Sequence, residues 1–214
     1  MIKHYLKVAF RNLMKYKTQS LVSIIGLAVG FTCFALSVLW IRYEMTYDTF
    51  HKGAERIYMV RAHYTDIPEH ISNSTPYPLA AYLQEKMPEI EAKATTSIHQ
   101  NVKIRMENDE YEVVMAAADS AFMNFFHIQL LKGTVSFLKE NNPEIAVTEE
   151  FAKKLFGSED DALGKEMEVN GRSRQIGAIV SGWSRHSNIP YSVLVAARHS
   201  PRWKSGPKQL FIRV

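Results

Sequence analysis

The first 42 residues have a hydrophobic pattern unlike that of the remaining chain. Leu21 to Ile41, LVSIIGLAVGFTCFALSVLWI, form a run of 21 residues without a charged side chain. A helix of that length extends about 31 Å, which matches a hydrocarbon core of roughly 30 Å. A cleaved signal peptide would have a shorter apolar region, of about 7–15 residues, and a small-x-small cleavage site, which VLWIRYEMTY lacks. We therefore predict a transmembrane helix at residues 18–42.

Residues 1–17 carry basic and apolar side chains at helical spacing. The basic side chains fall within an arc of about 120° on a helical projection; they are Lys3, Lys7, Arg11 and Lys15. Apolar residues fill the opposite side, which predicts an amphipathic helix lying on the lipid surface. A short basic tail would explain the charges but not the apolar face. Because basic flanks stay in the cytoplasm, we expect residues after about Arg42 to lie outside, in the periplasm of a bacterial inner-membrane protein.

Two glycines in the apolar run, Gly26 and Gly30, are four positions apart. Small residues at this spacing let another helix approach closely. A lone membrane anchor has no need of such a face, so the pair indicates companion helices from a partner or from a longer chain.

The chain after residue 42 intersperses short helical and strand patterns. The predicted helices are Asp48–Arg56, Leu79–Met87, one that Asp119 caps with Phe122, Phe125 and Phe126 on one side, and one from Thr148 to Gly157. The predicted strands include IYMVRAH, KATTSI, a hairpin of Val102–Met106 with Tyr111–Ala117, Pro143–Val147, a hairpin at Asn170-Gly171, Tyr191–Ala196 and Gln209–Val214. The predicted class is therefore α+β with a mixed sheet, in one domain at residues 43–214.

Charge is concentrated at the N-terminus. The chain has 26 basic and 22 acidic residues, and residues 1–17 hold five of the basic ones and no acid. The remaining 21 basic and 22 acidic residues nearly cancel, whereas a nucleic-acid-binding domain carries its basic surface on the folded part. We expect no nucleic-acid partner, and the single cysteine, Cys33, excludes an intramolecular disulfide.

Motifs for catalysis and metal binding are not present. GSEDDALGK has six residues between its glycines, and Glu166 follows where a phosphate loop has Ser or Thr, so it does not predict an ATP site. The eight histidines form no HxxxH or HExxH pair, and His63 with Glu69 and His70 are better explained as isolated surface residues. We therefore expect a protein that is not an enzyme and has no catalytic, cofactor-binding or metal-ligating residues.

Several segments of the chain, in order, resemble segments of one protein family. KVAFRNLMKYKTQSLVSIIGLAVGF resembles the surface helix and first span, and ADSAFMNFFHIQLLKG and IAVTEEFAKKLFGSEDDALGK resemble two later segments. YDTFHKGAERIYMV resembles the motif after the span; its residues are Tyr47, Asp48, Phe50, His51, Arg56, Tyr58 and Val60. SRHSNIPYSVLVA is similar to a further family loop, but its His186, Ser187 and Asn188 stand in a different order, so no role is transferred to it.

In this order, these segments resemble those of MacB/FtsX-like ABC transporter permeases. The resemblance implies a MacB-type periplasmic core domain inserted after the first transmembrane helix. Such permeases have four transmembrane helices, form homodimers or heterodimers, and work with a separate cytoplasmic ATPase subunit that binds ATP. They serve in transport, in the efflux of macrolides and antimicrobial peptides, in lipoprotein export and in the regulation of cell-wall hydrolases. The later helices are missing here, so we expect the N-terminal portion of a permease or a truncated paralogue. The alternatives are a single-span, membrane-anchored periplasmic binding or sensing module and a membrane-anchored enzyme.

Overall fold

The computed structural model describes residues 2–63, 71–106, 109–183, 186–197 and 208–214. The chain divides into two compact units, Met1–Tyr47 and Asp48–Val214. The first unit is helical, and the second combines a mixed sheet with short helices. The predicted α+β class with a long apolar helix near the N-terminus is confirmed.

In the first unit, helix α1 (Ile2–Lys15) precedes helix α2 (Lys17–Met45). α2 has 29 residues and no buried side chain. Within the described ranges it is the one helix whose length and composition suit a membrane crossing. The hydroxyls of Thr32 and Ser37 donate to carbonyl oxygens four residues earlier, both at 2.8 Å, so both hydroxyls form their hydrogen bonds within the helix.

The residues singled out in this unit lie on its two helices. Lys7, Arg11 and Lys15 are exposed on α1, whereas the side chain of Lys3 lies outside the described part. A Cβ added at Gly26 or Gly30 would meet no described atom within 4 Å beyond the helix's own backbone. The membrane-surface helix and the helix-packing face both concern contacts outside this chain, so they remain predictions.

The second unit is built from short strands connected by turns and helices. Its strands are β1 (Ile57–Val60), β2 (Ala62–His63), β3 (Ile71–Ser72), β4 (Ala92–Met106), β5 (Asp109–Ala118), β6 (Leu130–Gly133), β7 (Ile145–Thr148), β8 (Glu166–Val169), β9 (Arg172–Val180), β10 (Val193–Ala196) and β11 (Gln209–Arg213). Its α-helices are α3 (Leu79–Lys86), α4 (Phe122–Phe126), α5 (Glu149–Phe156) and α6 (Glu159–Ala162), and 3-10 turns form at Ala54–Arg56 and Val135–Leu138.

Nine of the described strands form one mixed sheet in the order β1-β11-β4-β5-β10-β7-β9-β6, with β8 bonded to both β4 and β9. β10 runs parallel to β5, and β7 runs parallel to β9, whereas the other pairs are antiparallel. Because β8 joins β9 back to β4, the pairings close a ring of β4, β5, β10, β7, β9 and β8.

Two hydrophobic cores lie on opposite faces of this sheet. All six ring strands contribute to one core, which includes Ile104, Val113, Met167, Ile176 and Val193 and is covered by α5 and α6. The other core holds α4 and the turn at Val135–Leu138, together with alternate residues of the same strands such as Ala146 and Leu194. Val193 and Leu194 are consecutive on β10 and belong to different cores, as the period of two along a strand requires.

The predicted ends of α5 and the predicted turn between β8 and β9 are confirmed. The hydroxyl of Thr148 accepts from the backbone N–H of Phe151 at 3.3 Å, so Thr148 caps α5, and Gly157 ends it at a φ of 81°. Asn170 and Gly171 both have positive φ between β8 and β9, which is the geometry of a type I′ hairpin.

Other local predictions need correction. The segments predicted as two strands around residues 93–106 are one strand, β4, with its register shifted between His99 and Val102. Asp119 accepts from the N–H of Ala121 at 3.1 Å, but α4 begins only at Phe122, and the carboxylate also binds Thr95. β6 has no counterpart among the sequence predictions.

Candidate functional site

The segment that opens the second unit, residues 48–60, contains most of the motif expected after the span. We call it the lead-in segment. Asp48 lies at a φ of 57°, a left-handed conformation that Asp and Asn tolerate better than most residues. Its backbone N–H donates to the carbonyl of His186 at 3.2 Å, which brings the lead-in segment against the loop at residues 186–190.

The Asp48 carboxylate binds the following residues of that loop. The Ser187 hydroxyl donates to Oδ1 at 2.5 Å, and the Asn188 amide Nδ2 donates to Oδ2 at 2.9 Å. The backbone N–H of Asn188 adds contacts to Oδ1 at 3.2 Å and to Oδ2 at 3.3 Å. We call this set of three residues the Asp48 clamp. It connects positions 139 and 140 residues apart in the sequence.

The prediction that Asp48 caps a short helix was wrong. The helical turn in this segment is a 3-10 turn that begins at Ala54, and its N-cap position is Gly53 with a φ of 74°. Both Asp48 oxygens already accept hydrogen bonds from the loop at Ser187 and Asn188, so the side chain stabilises a tertiary contact instead of a helix end.

His51 is buried among aromatic rings next to the Asp48 clamp. Its ring centroid lies 4.2 Å from that of Phe50, 4.6 Å from Trp183 and 5.1 Å from Phe126. Burial lowers the pKa of His51 below its usual value, although the Asp48 carboxylate, 3.9 Å from Nε2, opposes this shift. Within the described residues His51 Nε2 has no hydrogen-bond partner. The imidazole is therefore neutral near pH 7 and packs mainly as an aromatic ring.

Trp183 joins this histidine to the loop that carries the clamp. Its ring packs edge-on against Phe126 and Tyr191, with centroids 5.3 Å and 5.0 Å away, and its indole N–H donates to the Ile189 carbonyl at 2.9 Å. Tyr191 donates to the Ser181 carbonyl at 3.0 Å, and burial raises the pKa of its hydroxyl. The predicted core role of Phe122, Phe125 and Phe126 is confirmed, because all three are buried in the same core.

Arg56 holds the lead-in segment to the last strand. Its Nε donates to the carbonyl of Val214, and its Nη2 pairs with Glu91. The N–H of Val214 donates in return to the Arg56 carbonyl at 3.2 Å. β1 continues this pairing against β11, from Ile57 opposite Arg213 to Val60 opposite Leu210. The first and last strands of the large sheet are therefore neighbours.

The remaining motif residues differ in their surroundings. Tyr58 points outward from β1 with 55% of its surface exposed, Phe50 is 44% exposed beside His51, and Val60 pairs with β11. Tyr47 belongs to the first unit.

A cavity of about 370 Å³ adjoins the Asp48 clamp. Asp48, His51 and Asn188 line it together with Arg61 and Gln209, and Ile57, Met59 and Phe211 supply part of its apolar wall. The side-chain oxygen of Gln209 is buried without a hydrogen-bond partner in the described part of the chain. No group of three His, Cys, Asp or Glu side chains suited to a metal ion occurs among the described residues.

The sequence profile of the MacB-like periplasmic core domain matches residues 20–213. The chain belongs to this family. Residues 48–213 of the second unit therefore form a MacB-like core domain, in which the Asp48 clamp and the β1–β11 pair join the lead-in segment to the sheet. No curated protein matches the sequence.

Solved structures have the same fold at low sequence identity. A domain of a protein assigned as a permease, from Porphyromonas gingivalis, is 23% identical with a TM-score of 0.65, covering 77% of each chain. The extracellular domain of the ABC-type transporter YknZ from Gram-positive bacteria is 12% identical with a TM-score of 0.55, covering 73% of this chain and 81% of that one. The periplasmic region of MacB from Actinobacillus actinomycetemcomitans is 13% identical with a TM-score of 0.52, covering 74% of this chain and 72% of that one.

The sequence predicted a role for the lead-in segment but not for the loop at residues 186–190 that it contacts. Asp48 and His51 were predicted from the motif after the span. Ser187 and Asn188 were noted in a segment similar to a family loop but were given no role, and Trp183 was not singled out. The available signal was SNIP at residues 187–190, in which short polar side chains precede a proline and are suited to fixing a turn. Nothing in that stretch names Asp48 as the partner, because the contact spans most of the domain.

Proposed function

We propose that this chain is the N-terminal portion of a permease subunit of an ABC-type export or mechanotransmission system. In this proposal a separate cytoplasmic ATPase subunit binds ATP, and the permease acts as a homodimer or heterodimer in the bacterial inner membrane. Residues 1–17 lie on the cytoplasmic lipid surface, residues 18–42 cross the membrane, and residues 43–214 are periplasmic. Gly26 and Gly30 pack against a companion helix. The complete system acts in efflux, with antimicrobial peptides as one class of substrate.

The observation that carries this proposal is the attachment of the lead-in segment to the core domain at two places. Asp48 binds the loop at Ser187 and Asn188, and Arg56 binds Val214 at the end of β11. A displacement of the chain at residue 48 would therefore act on the aromatic rings around Trp183 and on the large sheet together. Such an attachment suits a domain that receives motion from the membrane, whereas a flexible tether would need no contacts of this kind.

Membership of the family also supports the proposed assembly. A core domain whose first and last strands are adjacent can be inserted between two membrane helices without a long return connection, and the β1–β11 pair has this arrangement. In the proposed assembly, lipid and companion helices cover the exposed apolar surface of α2.

The assembly is tested by extending the coding sequence beyond Val214 and co-expressing the product with the ABC ATPase encoded beside it. We expect further apolar spans of about 20 residues, a complex of fixed stoichiometry in mild detergent, and ATP hydrolysis that changes when the permease is present. An ATPase variant without its catalytic carboxylate is the control for hydrolysis. A gene without further spans and without a neighbouring ATPase would contradict the proposal.

The topology is tested with single cysteines in a Cys33→Ser background. Lys52 is exposed in the second unit and Lys7 is exposed on α1, so Lys52→Cys and Lys7→Cys make a matched pair. A membrane-impermeant maleimide should label Lys52→Cys in intact spheroplasts and Lys7→Cys only after permeabilisation. The reverse pattern would refute the proposed orientation.

A periplasmic binding or sensing module is the second candidate function. The cavity of about 370 Å³ beside His51 favours it, because it falls within the size range of small-molecule sites. This function predicts a stop codon after Val214 and a ligand that raises the unfolding temperature of the domain. A transport complex formed with an ATPase would rule it out as the whole function.

A further inference from the structure

A second cavity, of about 510 Å³, lies away from the Asp48 clamp. Five apolar residues of the strand ring line it, namely Met115, Ala117, Val169, Val195 and Ala196. Its other walls come from the turn between β8 and β9, the loop before β7, and the residue preceding β11. The volume is within the range of about 300–1,000 Å³ typical of small-molecule sites.

The charged side chains that line this cavity in the described part of the chain are all basic. They are Arg172, Arg174 and Lys208, with His99 beside them, and no Asp or Glu is among the lining residues. The other polar groups are the side-chain amides of Asn141, Asn142 and Asn170. In the described residues no carboxylate lies within ion-pair distance of Arg172, Arg174 or Lys208.

Lys208 is the most informative of these residues because it is only 8% exposed. Its backbone is fixed by two hydrogen bonds with Thr75, at 2.7 Å and 3.0 Å. Burial lowers the pKa of the Lys208 ammonium, and the nearby Asp119 opposes this shift. The Asp119 carboxylate already accepts from the N–H and hydroxyl of Thr95, at 2.7 Å and 2.8 Å. Because the largely buried Lys208 side chain has no ion pair with a described carboxylate, an anion in the cavity would stabilise its charged form.

The arginines supply the donors that a phosphate group needs. Arg174 is half-buried and oriented by its Nη1 contact to the Asn142 carbonyl at 3.4 Å, which leaves its other guanidinium N–H groups for a ligand. Arg172 is exposed and follows the Asn170-Gly171 turn. A planar guanidinium binds phosphate or carboxylate oxygens in pairs, and a phosphate monoester carries a charge of about −1.5 to −2 near pH 7. That charge matches several clustered cations better than a single carboxylate does.

We propose that this cavity binds a small phosphate monoester with an apolar substituent. The phosphate contacts Lys208, Arg174 and Arg172, and the substituent lies against the strand wall formed by Met115 and Val195. This site is independent of the Asp48 clamp, since the two cavities share no lining residue in the described chain.

The test uses the full chain in dodecyl maltoside, whose headgroup carries no phosphate, and isothermal titration calorimetry with phenyl phosphate. We expect a dissociation constant below about 1 mM at low salt, and weaker binding of inorganic phosphate because it lacks the apolar part. Lys208→Met and, separately, Arg172→Gln should each weaken phenyl phosphate binding by about tenfold or more. Lys165→Met is the matched control, because Lys165 is exposed and outside the cavity, and it should leave binding unchanged.

Weaker binding by Arg172→Gln could not be explained by misfolding, because Arg172 is exposed and makes no ion pair with a described residue. Equal binding by the wild type and both cavity variants would overturn the proposal, as would no heat of binding up to ~10 mM ligand. Preference for short-chain phosphatidic acid over phenyl phosphate would identify the phosphate as a lipid headgroup, and the opposite preference a soluble ester. Stronger binding of benzoate than of phenyl phosphate would reject the phosphate class.

Discussion

Replacing Asp48 tests whether the Asp48 clamp holds the lead-in segment to the core domain. The carboxylate accepts from one hydroxyl, one side-chain amide and one backbone N–H, and 30% of its side chain is exposed. A hydrogen bond to a charged group contributes about 1.5–3 kcal/mol net, and solvent screening reduces this. We therefore expect Asp48→Ala to lower the free energy of unfolding by about 2–4 kcal/mol, part of it from placing Ala at a positive φ.

Asp48→Asn separates the charge from the backbone conformation. Asn tolerates positive φ and retains one acceptor, but its NH₂ group would face the donors of Asn188. We expect a loss of about 1–2 kcal/mol, smaller than for Ala. A double-mutant cycle of Asp48→Ala with Asn188→Ala should give a coupling energy of about 0.5–2 kcal/mol.

The assay is thermal unfolding of the full chain in detergent, followed by tryptophan fluorescence in a Trp40→Phe, Trp203→Phe background, so that the signal comes from Trp183, which packs beside the clamp. A loss of about 2–4 kcal/mol corresponds to a fall in Tm of about 4–16 °C for a domain of this size. Glu85→Ala is the control, because Glu85 is 71% exposed on α3 and should shift Tm by only a degree or two. An Asp48→Ala protein that melts within about 1 °C of the wild type, or a coupling energy of zero, would refute the role of the clamp.

Three further predictions concern other parts of the core domain. Because burial lowers the pKa of His51, the unfolded state binds more protons than the folded state near and below the usual value of 6.5, so the free energy of unfolding should fall as pH drops through that region. Urea denaturation between about pH 5 and 8 should show a smaller change in this free energy for His51→Gln than for the wild type. Gly133→Ala should lower the free energy of unfolding by about 2 kcal/mol more than Gly157→Ala does. Both glycines have φ near 80°, but only at Gly133 would a Cβ meet the Gly177 carbonyl oxygen, at 2.1 Å; equal urea midpoints for the two variants would contradict this. Thr148→Ala should cost about 1 kcal/mol by loss of the α5 cap, with Thr148→Ser restoring most of it in the same urea assay.

The parts of the fold predictable from sequence were those set by neighbouring residues. The apolar run defines α2, Thr148 defines the start of α5, and Asn170-Gly171 defines the hairpin between β8 and β9. In each case the stabilising interaction joins residues a few positions apart, so the sequence pattern contains both partners. The resemblance to a permease family similarly came from local motifs in a fixed order.

The parts that could not be predicted depend on contacts across the domain. The Asp48 carboxylate could cap a helix or bind a distant loop, and only the folded chain places Asn188 within hydrogen-bond distance. The basic cavity was missed for the same reason. Arg172 and Arg174 lie on β9 and Lys208 precedes β11, and these positions are far apart in the sequence.

Closure of the strand ring limits how two copies of this domain could join through backbone hydrogen bonding. In the described part of the large sheet, β1 pairs only with β11, and β6 pairs only with β9. Each therefore has one side free to accept a strand from another molecule, which is the usual starting point for sheet-mediated aggregation. β6 is four residues long and carries Lys132, which is paired with Asp160. β1 has the same length but no charged side chain, and a charged edge strand is the poorer template, so β1, at the end of the lead-in segment, is where intermolecular strand addition would begin.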